Sequence, residues 1–386
     1  MFESLVNYYK GVAYKWDITT IWFYMTVIGV AYLLAALSQS KIVLARKGER
    51  YVPGARSRLG VMLLVLSFIV MWVILAFRDV GTDLEMYRRI FDRPFDFLYV
   101  ETQFEPGYML LNKALNMILP DAYWGIAVIS AMSLFFQYKA IEDNFDRINV
   151  GLAVLALGCM YYLQSFNLIR ICLASNILMW GSRFIFRGEY KKYLVLNFLT
   201  IFIHFSSSIV FYPFLLYYLW GKRKWLFWIV TLISVVAAYK SLSILSMIPV
   251  FGRYVYYLEN GAMKNSIGLM QYAINLPLFL LYFYSYKKIG KTRLVEMLFA
   301  YTVAALVIGI MSYKVLMLGR SLVYFNVVYV LCVPYVIFQL RRRSRRVGRL
   351  LYIGYAVYLF ARLYIYLTEY LYLDGIMPYR MIDMTI

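Results

Sequence analysis

Apolar runs separated by short polar turns fill almost the whole chain. The runs fall at about 18–37, 59–77, 122–138, 150–162, 168–186, 192–203, 207–220, 225–245, 268–286, 294–313, 321–340 and 350–367. Most approach the ~20 residues that cross a bilayer as a helix, so the pattern predicts about twelve membrane helices. Helices follow because backbone groups in lipid must pair within their own segment. The runs at 192–203 and 207–220 are short. They predict a hairpin of half-length helices whose turn is Ile203-His204-Phe205-Ser206-Ser207. A further piece differs in kind. Phe104, Tyr108, Leu111, Leu115 and Ile118 recur at helical spacing, with Asn112, Lys113 and Asn116 on the other side. Glu105-Pro106-Gly107 opens this amphipathic helix, with proline near the first helical position. It is expected to lie in the outer interface and end at Pro120. The fold class is all-α: a polytopic integral membrane protein with one membrane domain over 1–386 and an outer loop over 78–120.

Composition agrees and adds sidedness. The chain has 386 residues, 63% hydrophobic, with mean hydropathy +0.66. That excludes a soluble domain of this size. The formal charge of +20 could suggest nucleic acid, but its distribution excludes that partner. Lys and Arg concentrate in short loops at 41–58, 187–192, 221–224, 287–293 and 341–349, the positive-inside pattern. The N-terminus, the loop after Arg78 and the C-terminus are therefore expected outside. Cys159, Cys172 and Cys332 are scattered within apolar runs, which argues against disulfides and a cysteine metal site. A single histidine excludes a His cluster. The N-terminus lacks the pattern of a cleavable signal peptide, and no internal repeat is visible.

Subtracting the inner loops leaves a small polar set at the outer ends of spans: Arg78, Asp83, Glu105, Arg170, His204, Arg253, Lys314 and Arg320. Arginines gathered on the outer face oppose the positive-inside tendency, so an anion is expected there. Each residue also has a structural reading. Arg78 could pair with Asp79 or Asp83 at a helix end. Arg170 could snorkel, and Arg253 and Arg320 could anchor the lipid interface. His204 could be a packed turn residue, and Glu105 could cap its helix.

The ordered pieces Phe-Arg-Asp-Val-Gly-Thr-Asp-Leu-Glu-Met-Tyr (77–87), Phe-Glu-Pro-Gly-Tyr (104–108), Asn-Leu-Ile-Arg-Ile-Cys-Leu-Ala (167–174) and Ile-His-Phe-Ser-Ser (203–207) resemble the EpsG-like branch of Wzy-type bacterial polysaccharide polymerases. Gly252-Arg253-Tyr254, Gly319-Arg320 and Met377-Pro378-Tyr379 fit the same pattern. The resemblance covers roughly 60–386. One position departs, since Ile171 stands where the family pattern has glutamine. The resemblance implies a GT-C-like helical fold and the joining of oligosaccharide repeat units carried on undecaprenyl diphosphate. It places this at the outer leaflet of the bacterial cytoplasmic membrane, facing the periplasm or the cell exterior. Donor and acceptor are both lipid-linked glycans. No nucleotide sugar, cofactor or metal is implied, and a chain-length regulator protein comes into view as a partner.

The residues suit that chemistry. Arginine holds a diphosphate bidentately and keeps its charge, so it can neutralise a departing phosphate oxygen. Arg78, Arg170, Arg253 and Arg320 are the candidate substrate-binding residues, with most weight on Arg170 and Arg320. The attacking sugar hydroxyl needs a base, for which Glu105, His204 and Asp83 are candidates. Glu105 and His204 rank together, and Asp83 is better placed to orient a partner. Two other classes compete. An O-antigen ligase uses the same donor but is expected to carry a larger late outer loop. A flippase or other transporter is expected to show mid-span charges and repeated halves.

Overall fold

Apolar segments that must satisfy their own backbone become helices, and polar residues at their ends start them. The computed structural model describes residues 17–40, 57–93, 105–240, 268–314, 316–369 and 374–382. Asp17 caps α1 (Ile18–Ser38), accepting from the Thr19 N–H at 3.1 Å. Ser57 caps α2 (Arg58–Ala76), accepting from the Gly60 N–H at 2.9 Å. The outer-loop helices α3 (Leu84–Asp92) and α4 (Pro106–Asn116) follow. Then come α5 (Ala122–Asp143) and α6 (Val150–Leu157), the latter running on through a π turn, Gly158–Tyr162, and a 3-10 turn, Leu163–Phe166. Next are α7 (Ile169–Arg187), α8 (Tyr190–Ile201), α9 (Phe211–Lys222) and α10 (Lys224–Tyr239). The last four are α11 (Gly268–Ile289), α12 (Arg293–Lys314), α13 (Arg320–Arg343) and α14 (Arg345–Glu369). Within α13, Arg320–Phe325 is a 3-10 turn and Val328–Cys332 a second π turn.

Seven of the described helices, α1, α2, α5, α7, α12, α13 and α14, are long and apolar enough to cross a membrane. The other predicted spans are shorter or interrupted. The hairpin helices α8 and α9 have 12 residues each, about 18 Å of rise against a hydrocarbon core of about 30 Å. Val150–Phe166 and Lys224–Tyr239 are shorter apolar helices, and α11 carries Pro277 inside. With 11 residues, α4 is also too short to cross. Its polar face is not the predicted one. Asn112 is buried with Tyr108 and Leu115, and its Nδ2 donates to the Tyr108 carbonyl at 2.8 Å. Leu110, Met117 and Ile118 face outward instead.

The bundle centre is formed by α6, α12 and α13, which are buried nearly all round, while α1, α2 and α14 keep apolar surface outward. α5, α7 and α13 are tied by side chains. Asn326 Nδ2 donates to Ser175 Oγ (2.9 Å) and Asn176 Oδ1 (3.1 Å), and Asn176 Nδ2 donates to Ser133 Oγ (2.8 Å). Such interhelical hydrogen bonds substitute for the hydrophobic drive that lipid removes. They fix α7 against α13, and these two helices carry Arg170 and Arg320. At the basic end, Arg293 donates to the Phe186 carbonyl and Arg343 to the Lys288 carbonyl, joining the basic turns.

Candidate functional site

At the opposite end the chain folds 77–83 against its own C-terminal segment. The Asp79 N–H donates to the Arg380 carbonyl (2.8 Å) and the Ile382 N–H to the Phe77 carbonyl (3.0 Å), around an isolated bridge between Arg78 and Met381. The Gly81 and Thr82 N–H groups donate to the Gly375 and Asp374 carbonyls, both at 3.0 Å. Asn167 Nδ2 donates to the Asp374 carbonyl at 2.6 Å. Gly81 has φ +120°, and a Cβ there would stand 2.7 Å from Asn167 Oδ1. Glycine is required at that position for both conformation and approach.

Arg78, expected at the substrate, lies inside this frame. It is 1% exposed, donates to the Leu75 carbonyl and to the Phe166 carbonyl (2.8 Å), and stacks over the Phe166 ring. Nor does it pair with an aspartate: Asp79 pairs with Arg88 at 2.8 Å. Its guanidinium ties the end of α2 to the turn before α7. Arg253 and the side chain of Lys314 lie outside what the structure describes.

Three other expected residues meet. Arg170 sits in the first turn of α7, where a cation opposes the helix dipole. Glu105 supplies the counter-charge: Arg170 Nη1 donates to Glu105 Oε2 at 2.7 Å. Glu105 Oε1 receives His204 Nδ1 at 2.7 Å and the Phe205 N–H at 2.8 Å. Although Glu105 precedes α4, its side chain makes no cap hydrogen bond, so the capping role is not the one it plays. The approach depends on Gly107. The Tyr108 N–H donates to the Phe202 carbonyl at 3.1 Å, and a Cβ on Gly107 would lie 2.7 Å from that oxygen. The half-length hairpin thus delivers His204 to Glu105 at its turn, and Tyr108 underlies Arg170.

Burial pushes the Glu105 carboxyl up. The His204 hydrogen bond, the Arg170 charge and the Phe205 N–H outweigh it and hold the carboxyl below its ordinary value. Glu105 is therefore an ionised acceptor at neutral pH. The histidine nitrogen facing it, Nδ1, must then carry a hydrogen. In a neutral imidazole that leaves Nε2 as the acceptor. The His204 side chain is 19% exposed against 11% for Glu105, so the ring is the more accessible of the two.

Beside this cluster is a cavity of about 400 Å³ lined by Asp83, Gln164, Asn167, Arg320, Arg362 and Asp374 among others. The two are neighbours. Leu168 lines the cavity and Arg170 follows it in the chain. Tyr324, in the turn that begins at Arg320, places its hydroxyl 3.1 Å from Ser206 Oγ beside His204. Asp374 receives the Tyr366 hydroxyl. Burial pushes its carboxyl up, against the pull of Tyr366, Asn167 and Arg320. Arg320 and Asp83 thus line the cavity, whereas Glu105, Arg170 and His204 form the cluster next to it. Arg362 and Asp374 were not singled out from the sequence. The signal for Arg362 was a charge inside an apolar run; Asp374, in the tail, gave none.

The chain is an all-helical polytopic membrane protein with a carboxylate–histidine–arginine cluster and a cation-bearing cavity at one end. It matches the EpsG family over residues 61–381 and belongs to that family, which is the family of Wzy-like polysaccharide polymerases and EpsG glycosyltransferases. No curated protein and no solved structure matches it. Membership indicates a glycosyltransferase of the polysaccharide polymerase type.

Proposed function

We propose that the protein joins lipid-diphosphate-linked oligosaccharide repeat units, working at the outer face of the bacterial cytoplasmic membrane. The observation that carries this reading is the cluster in which Glu105 binds both His204 and Arg170, next to a cavity holding Arg320, at the end away from the basic turns. In this reading the positive-inside rule puts the basic turns in the cytoplasm and the helices take a GT-C-like arrangement.

The chemistry is a displacement at the anomeric carbon. A hydroxyl of the acceptor glycan attacks, its proton passes to His204 Nε2, and a new C–O bond forms as the bond to the phosphate oxygen breaks. The electron pair leaves with undecaprenyl diphosphate. Direct attack inverts the anomeric configuration. Glu105 fixes the imidazole tautomer and stabilises the imidazolium that forms, which ranks His204 above Glu105 as the base. A positioned base contributes about 10²–10⁴-fold. Arg320 faces the departing diphosphate, and its charge is most useful where water is excluded. Arg170 holds Glu105 ionised and is the nearest cation to the reacting hydroxyl.

Alanine at Arg170 or at Arg320 is expected to abolish polymer in cells while leaving the protein in the membrane at its normal level. Wild-type polymer length in both variants would remove both assignments.

A further inference from the structure

Between Arg349 and Glu369, α14 carries a single charged residue, Arg362. It lies about 10 Å along the axis from Glu369. Its position is not the lipid side. Tyr355, Leu359, Leu363 and Tyr366, around it on the same helix, are buried, and Arg362 itself lines the cavity. A charge within a membrane helix costs about 2.5–3.5 kcal/mol or more at the bilayer centre, so its retention calls for a partner.

The partners present are hydroxyls. Tyr358, one helical turn before Arg362, and Tyr329 and Tyr161 stand near it. Tyr161 and Tyr329 come from the two π turns, Gly158–Tyr162 and Val328–Cys332, and both face the cavity. π turns are frequent at functional sites because they re-aim side chains out of the regular register. Among the described residues no carboxylate forms an ion pair with Arg362. Other arginines of the helices are treated differently. Arg170 has Glu105, Arg88 has Asp79 and Arg183 has Asp143. Arg78 has no carboxylate either, but its donors go to backbone carbonyls and it is not part of this cavity's lining. Arg362 therefore brings a charge with no carboxylate in ion-pair contact to a polar space that Arg320, Asp83 and Asp374 also line. Tyrosine hydroxyls around it can accept from the guanidinium and donate to a ligand at once.

We infer that Arg362, with Arg320 on the same cavity, forms a seat for the diphosphate group of the lipid-linked donor, distinct from the Arg170 cluster where the acceptor hydroxyl is activated. This rests on the proposed function and assigns its two substrates to two places. The anion could reach the seat as a lipid headgroup or as free pyrophosphate, since the recognition chemistry is shared.

The test is binding rather than turnover. Full-length protein in nanodiscs of zwitterionic lipid is titrated with undecaprenyl diphosphate and separately with inorganic pyrophosphate, alongside thermal unfolding of each variant. R362Q should weaken binding of both probes by at least about tenfold, the size of a lost charge-assisted hydrogen bond, with R362K recovering most of it. Y358F, a milder change that leaves the charge in place, should weaken both by a few-fold and covers the case in which R362Q does not fold. Unchanged affinity in a folded R362Q with loss in R320A would overturn the role of Arg362 and leave the polymerase reading standing. Binding of the lipid but not of pyrophosphate by the wild type would place recognition in the lipid tail and overturn the seat. Failure of the wild type to bind either probe would overturn both readings.

Discussion

Glu105 spends both carboxylate oxygens on three donors, and that makes it the residue whose replacement is most informative. E105Q preserves the shape but removes the charge that Arg170 and His204 face. Removing one partner of a buried ion pair typically costs about 3 kcal/mol. Because the folded carboxyl is held below its ordinary value, its contribution is complete above the unfolded pKa of about 4.3 and is lost as pH falls through the lower folded value. The thermal midpoint of the wild type in detergent should therefore exceed that of E105Q at pH 7. The gap should narrow as pH falls from about 5 through the lower folded value. A gap that stays constant over that window contradicts the ion-pair account. From the sequence, Glu105, His204 and Arg170 were legible as candidates, because polar residues at the outer ends of apolar runs are conspicuous. Their mutual contact was not, since it joins positions far apart in the chain. The setting of Arg78 was not legible for a related reason. Its burial among backbone carbonyls depends on the turn before α7 and on the C-terminal segment, and neither is visible in the local pattern.

At the scale of elements, α4 and the short hairpin act as two arms of one clamp. They meet backbone on backbone at Gly107 and Phe202. G107A places a methyl group 2.7 Å from a carbonyl oxygen, which cannot rotate away as a side chain would. Overpacking of this kind costs about 1–3 kcal/mol. It should also move Glu105 relative to His204, so polymer output should drop more than protein level does. Quantifying both in the same cells checks this; full polymer from G107A would mean that the clamp is not needed. The half-length hairpin and the non-crossing length of α4 could be read from run lengths. The side of α4 on which Asn112 lies could not. Its amide is satisfied by its own helix at the Tyr108 carbonyl, which lets a polar residue occupy the buried face. The π turns were equally hidden, because a one-residue change of register inside an apolar run leaves no trace in composition.

For the whole molecule, the all-helical membrane architecture was legible because lipid permits few alternatives. The number of full-length spans was not. Apolar runs of intermediate length become whole spans, half-length helices or interrupted ones according to what they pack against, and seven described helices have full length. Segregation of charge survives at this scale: arginine–carbonyl contacts knit the basic turns at one end, and the acidic loop, Glu105 cluster and cavity occupy the other. The account places glycosyl transfer at that second end, with charge neutralisation supplied by arginines. The most direct measurement is incubation of the purified full-length protein in detergent with synthetic lipid-diphosphate-linked repeat units and a metal chelator. A ladder of products, each longer by one repeat unit, is the predicted result. No ladder from a verified native substrate would contradict the polymerase reading, and a ladder that appears only when a divalent metal is restored would contradict the arginine-based account of leaving-group departure.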